Sequence, residues 1–388
     1  MSKEVDEAVL EAVETWVRNE VAPVALQHDN DDVYPHALVE QMKEMGLFGA
    51  IISEEYGGLG LSAAVYAQIV WMVSAEWMAP VGIFNSHLIM AAAIQRCGTQ
   101  AQREAYLPRM ATGELRGGLA LTEPGAGTDL QAVRTSAART ESGNYVLTGT
   151  KTWITNSLHG SLLLVIAKTD KAAVPAHKGL SMFIVRTKDD DGKWVKGVTV
   201  NKLKKMGYRS IDTCEVVFEG VEVSSADLLG GVEGNGFQHA AKGLEIGRIN
   251  VAARGGGIGA GALRRSLRYA QERQTFGTPI CNHQSIQIKL AEMATRVEAS
   301  RLLVQRAAEK YDAGERCDLE AGMAKLFATE TGAFCAQEGM RIFGGYSYSV
   351  EYDIERLYRD CMVMCIGEGT NEMQRIIISK RLVEQFPV

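Results

Sequence analysis

The feature that most restricts the fold is a double change of hydrophobic periodicity along the chain. In residues 1 to 115 apolar side chains recur every three or four positions, which predicts helices. Short β-rich runs such as "GNYVLTGT" and "TCEVVFEGVEV", separated by glycines and charges, fill residues 116 to 232. Long helical stripes return in residues 233 to 388. We therefore expect an α+β protein with an N-terminal helical domain, a small antiparallel β domain in the middle and a C-terminal four-helix bundle.

Composition excludes several classes of function. The chain has 388 residues, of which 46% are hydrophobic, so it can bury substantial cores. Its formal net charge is −6 without a block of like charges, which argues against binding to nucleic acid or anionic membranes. No apolar run approaches a membrane span, "SLLLVIA" being among the longest. We expect no integral membrane segment.

The cysteines, the histidines and the chain ends indicate the compartment. Seven scattered cysteines and seven histidines show no metal-ligand spacing, so we expect reduced thiols and no metal site. The acid-rich start "KEVDEAVLEAVETW" resembles neither a secretory signal nor an Arg-rich transit peptide, and the final "FPV" is not a peroxisomal address. A cytoplasmic protein is expected, with a processed organellar protein as the alternative.

One acidic residue near the C-terminus has the setting of a catalytic base. In "CIGEGTNEMQR", Glu368 lies between Gly367 and Gly369 and has apolar neighbours on both sides. A poorly solvated carboxylate has a raised pKa, which suits the removal of a weakly acidic C–H proton. The two glycines allow a substrate to approach closely. The alternative interpretation is a surface acid at the start of a helix capped by Thr370.

Three further segments combine glycines, hydroxyls and large flat side chains. The loop "LALTEPGAGTD" can present N–H groups and hydroxyls to a heterocycle or a phosphate. The segment "GTKTWITNS" pairs a flat surface at Trp153 with hydrogen-bonding groups, and "ERQTFGTPICNHQ" ends a helical stretch. Each segment also has a structural interpretation: a turn, a strand with a buried Trp, or a charged helix end that complements the helix dipole.

In this order, and with Glu368 downstream, the chain resembles the acyl-CoA dehydrogenase family. Eight segments carry the resemblance across essentially the whole chain: "LVEQMKEMGLFGAIISEEYGGLGLS", "YLPRMATGEL", "LTEPGAGTD", "GTKTWITN", "KKMGYRSIDTCEVVFEGVEV", "RQTFGTPI", "RIFGGYSYSVEYDIERLYRD" and "GEGTNEMQR". The resemblance implies two α domains flanking a β domain, with FAD at their junction. It implies FAD-dependent α,β-dehydrogenation of an acyl-CoA thioester to the 2-enoyl-CoA, with electron-transferring flavoprotein as acceptor and a homotetramer as the assembly.

The resemblance also assigns roles to individual residues. Glu368 is the implied base, and its N–H helps to polarise the thioester carbonyl. The implied FAD contacts are Leu119, Leu121, Thr122, Gly127, Thr128, Trp153, Ile154, Thr155, Arg273, Phe276, Gln284, Arg341, Ile342, Phe343, Gly344, Gly345, Thr370, Asn371 and Glu372. Of these, Arg273 and Phe276 approach the pyrophosphate and adenine, and Gln284 with residues 341–345 comes from a neighbouring subunit. The implied substrate contacts are Thr128, Glu245, Arg248 and Gly369.

Departures from the family pattern bear on the substrate. Glu245 stands where Asp is usual, and Arg341 replaces a frequent Gln. Gly367 precedes the base where Tyr is common, which opens space beside the substrate α-carbon and favours a short, branched or cyclic acyl group. A short linear acyl-CoA is the alternative. Glutaryl-type members hold a distal carboxylate with an Arg at the position of Ala79, where this chain has no cation. Dicarboxylic substrates are therefore disfavoured unless another Arg enters the pocket.

The sequence leaves two alternative functions open. An acyl-CoA oxidase would use the same Glu with oxygen, although oxidases usually carry an extra C-terminal domain. From a different class, the chain could be a catalytically silent CoA-binding or structural helical assembly. The run "GGGIGAGAL" from Gly255 to Leu263 fits a dinucleotide fingerprint, but a true fingerprint follows a strand and here the preceding residues have a helical pattern. Close helix packing through small residues is the better interpretation.

Overall fold

The computed structural model describes residues 3 to 387, apart from the side chains of Lys3 and Leu244. The N-terminal helices are α1 Lys3–Trp16, α2 Ala22–Asp31, α3 His36–Glu44, α4 Ala63–Glu76, α5 Met78–Cys97 and α6 Gln100–Ala111, with a π-helix at Val17–Val21. The strands that follow are β1 Gly117–Ala120, β2 Ser136–Arg139, β3 Tyr145–Thr155, β4 Leu162–Lys168, β5 Leu180–Arg186, β6 Val198–Lys202 and β7 Thr213–Val223. The C-terminal elements are α7 Gly236–Glu272, β8 Gln274–Thr275, β9 Thr278–Pro279, α8 Gln284–Asp312, α9 Asp318–Phe343, α10 Ile354–Ile366 and α11 Asn371–Gln385.

Capping residues mark where two of the N-terminal helices begin, and burial of apolar side chains packs the helices together. The Ser62 hydroxyl caps α4, and Thr99 and Gln102 form a reciprocal capping box at the start of α6. Helix α5 is apolar on nearly every face and lies in the core. By length and composition α5 could cross a membrane, contrary to the expectation that no such segment exists, but 89% of its apolar window is buried inside the protein. It is therefore a core helix.

The middle region forms one seven-stranded sheet. The strands lie in the order β1-β4-β2-β3-β7-β6, and β5 pairs with the free side of β4. The sheet is not wholly antiparallel as expected, because β1 pairs with β4 in parallel and β2 touches β4 in the same sense. The chain between β1 and β4 contains β2 and β3, so it returns by a long crossover, which parallel neighbours require.

The glycine run lies inside α7, where two other helices cross it. A Cβ added at Gly255 would lie 2.7 Å from Thr329 Cα of α9, and one at Gly261 would lie 2.1 Å from the carbonyl oxygen of Ala75 on α4. Only glycine allows such close backbone approach. The prediction of helix packing in place of a dinucleotide fingerprint is confirmed. Helices α8, α10 and α11 pack around the α7–α9 pair and complete the predicted C-terminal bundle.

Candidate active site

Glu368 lies in the short loop between α10 and α11. Its φ of 55° is left-handed, and so is the φ of 89° at Gly369. A non-glycine residue in this region stores backbone strain, which persists only where the surroundings enforce it. The enforcing group is Lys325 of α9, whose Nζ donates to the carbonyl oxygens of Cys365 at 3.3 Å and Gly369 at 2.9 Å. Gln374 Nε2 also donates to the Gly369 carbonyl oxygen at 3.2 Å, so two side chains fix the loop.

The carboxyl group of Glu368 faces into the protein. Oε1 accepts from Arg254 Nη2 at 3.3 Å, and Oε2 has no hydrogen-bond partner within residues 3 to 387. Burial raises the pKa of Glu368, while the positive charges of Arg254, Lys325 and Arg248 oppose the rise. A carboxylate with a raised pKa and a free oxygen is suited to accept a proton.

Lys325 is fully buried beneath the loop, and the sequence analysis did not identify it. Besides the two carbonyls it binds Asn371 Oδ1 at 2.8 Å, and Asn371 is also bonded to Thr329. Burial lowers the pKa of Lys325 to about 8. The amide of Asn371, predicted to contact the cofactor, is thus engaged in holding the loop. A lysine within the small and apolar run "AGMAKLFA" was the available signal, because buried lysines are rare.

Trp153 is presented by an irregularity near the end of β3. The β3–β7 register shifts between Lys151 and Ile154, and Trp153 adopts a φ of 62°. Such a bulge re-aims a side chain away from its strand. The indole is consequently 60% exposed, whereas Ile154 packs its side chain into the core of the sheet. Trp153 offers a flat surface for a ring, and Ile154 can offer only its backbone.

The loop from Leu119 to Thr128 lies beside this bulge. The Thr152 N–H donates to the Thr122 carbonyl at 2.9 Å. Glu123 fixes the loop by accepting from Lys151 Nζ at 2.9 Å and from the N–H groups of residues 134 and 135. Beyond it, a Cβ added at Gly127 would meet no atom within 4 Å, and Thr128 is exposed. The loop and the Trp153 bulge therefore form one open cradle of hydroxyls and N–H groups around a flat surface.

The remaining predicted cofactor residues form a second cluster. Arg273 and the β8–β9 turn line a cavity of about 720 Å³ together with residues 342–345, and Gln284 begins α8 next to it. Phe276 at the turn is 98% exposed. Phe343 stacks on Tyr269 at 4.1 Å beneath the cavity, and Arg341 pairs with Glu338. A cation and an exposed ring beside open glycines suit an aromatic base with a phosphate.

Glu368 and the Arg273 cavity lie at points far apart along one helix. Gly247 of α7 touches Glu368, and Arg273 follows directly after Glu272, the last residue of α7. About 25 residues separate these points, a length of about 38 Å at 1.5 Å per residue. Arg273 and Phe276 therefore lie with residues 342–345, far along α7 from Glu368 of the same chain.

Two of the four predicted substrate residues, Glu245 and Arg248, lie in the N-terminal half of α7, whereas Thr128 is in the loop after β1 and Gly369 follows Glu368. Glu245 pairs with Arg96 of α5 at 3.0 Å, and both side chains are partly exposed. Arg248 is half-buried one turn further along. On the other side of the base, a Cβ added at Gly367 would meet only the Val363 carbonyl oxygen within 4 Å. The space that the sequence predicts beside Gly367 is therefore open in the structure.

The structure changes one premise about the substrate. Ala79 is buried in α5 as a small side chain, and the surrounding stretch has no cation, as the sequence indicates. However, Arg254 enters from α7 and bonds Tyr208, whose hydroxyl abuts Gly82 one turn from Ala79. Dicarboxylic substrates are disfavoured only if no other Arg approaches the base, and Arg254 does approach it. Sequence reasoning missed Arg254, although a charge within "INVAARGGG" is unusual.

The described residues contain no cluster of three or more His, Cys, Asp or Glu side chains that could hold a metal ion. What they provide is a buried carboxyl, a flat exposed indole, hydroxyls and open backbone. This chemistry suits an organic cofactor and a proton transfer.

Comparisons with known proteins extend over the whole chain. Models of the acyl-CoA dehydrogenase family match residues 3–114 (N-terminal domain), 118–221 (middle domain) and 234–383 (C-terminal domain). A 3-(aryl)acrylate reductase of Clostridium sporogenes (strain ATCC 15579) is 38% identical and is covered over 98% of its length, matching 97% of this chain. An acyl-CoA dehydrogenase of Bacillus subtilis (strain 168) is 39% identical over 96% of both chains. The solved structure of butyryl-CoA dehydrogenase from Megasphaera elsdenii has a TM-score of 0.93 at 34% identity, over 99% of both chains.

Proposed function

Because this chain belongs to the acyl-CoA dehydrogenase family, we propose that Glu368 is the general base that removes the α-proton of an acyl-CoA thioester. The protein is an oxidoreductase that acts on the CH–CH bond of an acyl-CoA, and FAD is its cofactor. The observation that carries the proposal is the inward-facing carboxyl of Glu368, which is 19% exposed and has one oxygen without a partner in the described part of the chain.

The chain's own groups divide the work of the reaction. Glu368 takes the proton from the α-carbon, and its N–H helps to polarise the thioester carbonyl. FAD, when bound, would accept the hydride from the β-carbon, and the product would be the 2-enoyl-CoA. Lys325 holds the base loop in its strained conformation, and Gly247 leaves room for the carboxyl. We assign Glu245 and Arg248, which lie toward the exposed end of α7, to the CoA moiety.

The separation of the two cofactor clusters supports an assembly of several subunits. The cradle of Thr122, Thr128, Trp153 and Thr155 suits the flavin ring. The cavity at Arg273 and Phe276 suits the adenine half, but along α7 it lies about 38 Å from the point where Gly247 contacts the Glu368 carboxyl. One FAD therefore uses the cradle of one subunit and the cavity of a neighbour. We propose that the protein is a homotetramer in the cytoplasm. Electron-transferring flavoprotein is the proposed acceptor that reoxidises the reduced FAD.

The acyl group we propose is short and either branched or cyclic. Gly367 leaves open space beside the α-carbon, since only its own helix's carbonyl oxygen approaches within 4 Å of an added Cβ. Kinetics with butanoyl-, 2-methylbutanoyl- and cyclohexanecarbonyl-CoA test this directly. A higher kcat/KM for the branched or cyclic thioester is expected, and Gly367→Tyr should reduce it selectively. A clear preference for the linear thioester contradicts the assignment.

Replacing the base tests the function itself. Glu368→Gln keeps the size of the side chain but cannot accept the α-proton. We expect bound FAD and thioester affinity to be retained, while flavin reduction by substrate slows by about 10²–10⁴-fold. Stopped-flow measurement of flavin bleaching checks this, with Glu298→Gln on the exposed face of α8 as the control. Reduction within tenfold of the parent rate would show that another group is the base.

A further inference from the structure

A buried guanidinium lies beyond the base. Arg254 follows Gly247 on α7 by two helical turns, about 10 Å, and its side chain is only 5% exposed. Nη1 donates to the Tyr208 hydroxyl at 3.1 Å and Nη2 to Glu368 Oε1 at 3.3 Å, whereas Nε has no partner in the described part of the chain. A guanidinium has five N–H donors, so these two bonds leave it under-satisfied.

Helices α5 and α7 run in opposite directions and define an outer and an inner end of the site. Their contacts, from the exposed end inward, are Arg96 with Glu245, Ile89 with Gly247, and Gly82 with the Tyr208 that bonds Arg254. The base touches the middle of this series at Gly247. Because the bulky polar CoA moiety needs the exposed end, the acyl group of a bound thioester points toward Arg254.

The inner end is polar as well as buried. The Asn250 side-chain N–H₂ donates to the Tyr66 hydroxyl at 3.1 Å, which donates to Asn85 Oδ1 at 3.0 Å. All three residues are at most 1% exposed, and Asn250 Oδ1 has no partner among residues 3 to 387. Buried polar groups without full partners destabilise the fold. A plain hydrocarbon chain could not complete their hydrogen bonds, whereas a polar acyl group could.

Resting on the proposed dehydrogenase function, we propose that Arg254 and Tyr208 bind a second carboxylate carried by the acyl group, so that the substrate is the CoA monothioester of a short dicarboxylic acid. A buried charge is unfavourable by several kcal/mol unless it is well paired. The base is a poor permanent partner, because its free oxygen must face the α-carbon. A carboxylate of the substrate completes the pairing and can bind a guanidinium through two parallel hydrogen bonds.

The distances set the length of the acid. The α-carbon must come within about 3–3.5 Å of the base, and the Arg254 Nη2 atom is 3.3 Å from the same carboxyl group. With C–C bonds of about 1.5 Å, only a short carbon chain fits between the α-carbon and a carboxylate on Arg254. Succinyl and glutaryl frames satisfy this reach. A branch beside Gly367 is compatible with both frames.

Binding of this carboxylate has a consequence for the base. In the free protein the positive charge of Arg254 lowers the pKa of Glu368 against the effect of burial. A substrate carboxylate on Arg254 offsets that charge, so the base becomes stronger when the matching acyl group is present. A neutral acyl group leaves the base paired and weaker.

The decisive comparison uses the FAD-loaded protein and matched thioesters: glutaryl-CoA against its methyl ester, and methylsuccinyl-CoA against 2-methylbutanoyl-CoA. We expect kcat/KM to be at least 100-fold higher for each free acid than for its neutral counterpart, because a site built for a polar group rejects analogues that lack it. Isothermal titration with 3-thiaglutaryl-CoA and its methyl ester, which lack the β-carbon that is oxidised, should give the same order in Kd.

Variants locate the effect at the guanidinium. Arg254→Met should bring the ratio of kcat/KM for glutaryl-CoA and its methyl ester close to one, and Arg254→Lys should restore part of the preference for the free acid. Tyr208→Phe is a milder change that should weaken binding of the free acid about tenfold. Arg268→Met, on the exposed face of the same helix, is the control and should change nothing.

The outcomes separate the two proposals. Preference of the parent for the neutral thioesters, or an equal loss for acid and ester in Arg254→Met, overturns the carboxylate subsite while the dehydrogenase function stands. If no thioester reduces the flavin, the dehydrogenase function fails, and the titration with the two thia-analogues still decides whether Arg254 binds a carboxylate.

Discussion

At the scale of single residues, Gly247 decides whether the base can occupy its position. A Cβ added there would lie 2.2 Å from Glu368 Oε2. Gly247→Ala should therefore displace the carboxyl and lower kcat by about 10²-fold, since a shift near 1 Å has that effect on a catalytic group. Gly243→Ala, one turn earlier, is the matched control, because its Cβ would make no contact closer than 3.4 Å, to the Ala93 methyl. Equal activity of both variants in steady-state assays would contradict the assigned role.

The pH dependence is also a residue property. Burial raises the pKa of Glu368 above the usual value of 4.5, and Arg254, Lys325 and Arg248 limit the rise. The base works only when ionised, so log kcat/KM for butanoyl-CoA should fall with unit slope as pH falls through the raised pKa. Arg254→Met removes one opposing charge and should move this acid limb to higher pH. An acid limb near pH 4.5, unmoved in the variant, would refute the role of Glu368.

At the scale of elements, one buried ion pair fixes the flavin cradle to the sheet. Lys151 of β3 is fully buried and Glu123 nearly so, and their 2.9 Å contact ties the loop after β1 to the Trp153 bulge. Burial lowers the pKa of Lys151 to about 8, and Glu123 opposes this shift. Removal of the carboxyl leaves a buried cation without its anion, which is strongly unfavourable.

Glu123→Ala should accordingly lower the free energy of unfolding by about 3 kcal/mol and weaken FAD binding. Chemical denaturation of the apoprotein measures the first effect, and titration of apoprotein with FAD measures the second. Glu141→Ala, in the exposed turn between β2 and β3, should leave both unchanged. A stable variant with parental FAD affinity would show that the pair does not hold the cradle.

At the scale of the whole molecule, cofactor binding and assembly are expected to depend on each other. Phe276→Ala removes a 98% exposed ring that we assign to the adenine of a neighbour's FAD. We expect a lower ratio of FAD to protein after gel filtration and a weaker tetramer in light scattering, because a ligand shared across an interface stabilises it. Tyr348→Ala removes a comparably exposed ring outside the cavity and serves as control. A monomer that retains one tightly bound FAD per chain would contradict the shared site.

The sequence alone determined the order of the helical and β-rich parts, and it also led to the proposal that Glu368 is the base. Helical spacing, β-rich runs and helical spacing again predict the two helical parts and the sheet, because periodicity reflects which face each element buries. Glu368 could be proposed as the base because its glycine and apolar neighbours leave a carboxylate poorly solvated, and because the order of the other segments resembles the family. The glycine run was assigned correctly to helix packing, since a local pattern already excluded a preceding strand.

Only the tertiary structure decided which distant groups meet. Arg254, Tyr208 and Lys325 come from a helix of the C-terminal bundle, a loop of the sheet region and a second bundle helix, and no spacing along the chain relates them to Glu368. The bulge that exposes Trp153 and the parallel pairing of β1 with β4 likewise depend on strand partners far along the chain. The hydrophobic pattern along a sequence predicts which face of one helix or strand is buried. An active site depends on contacts between several elements, and only the packing of the folded chain determines those contacts.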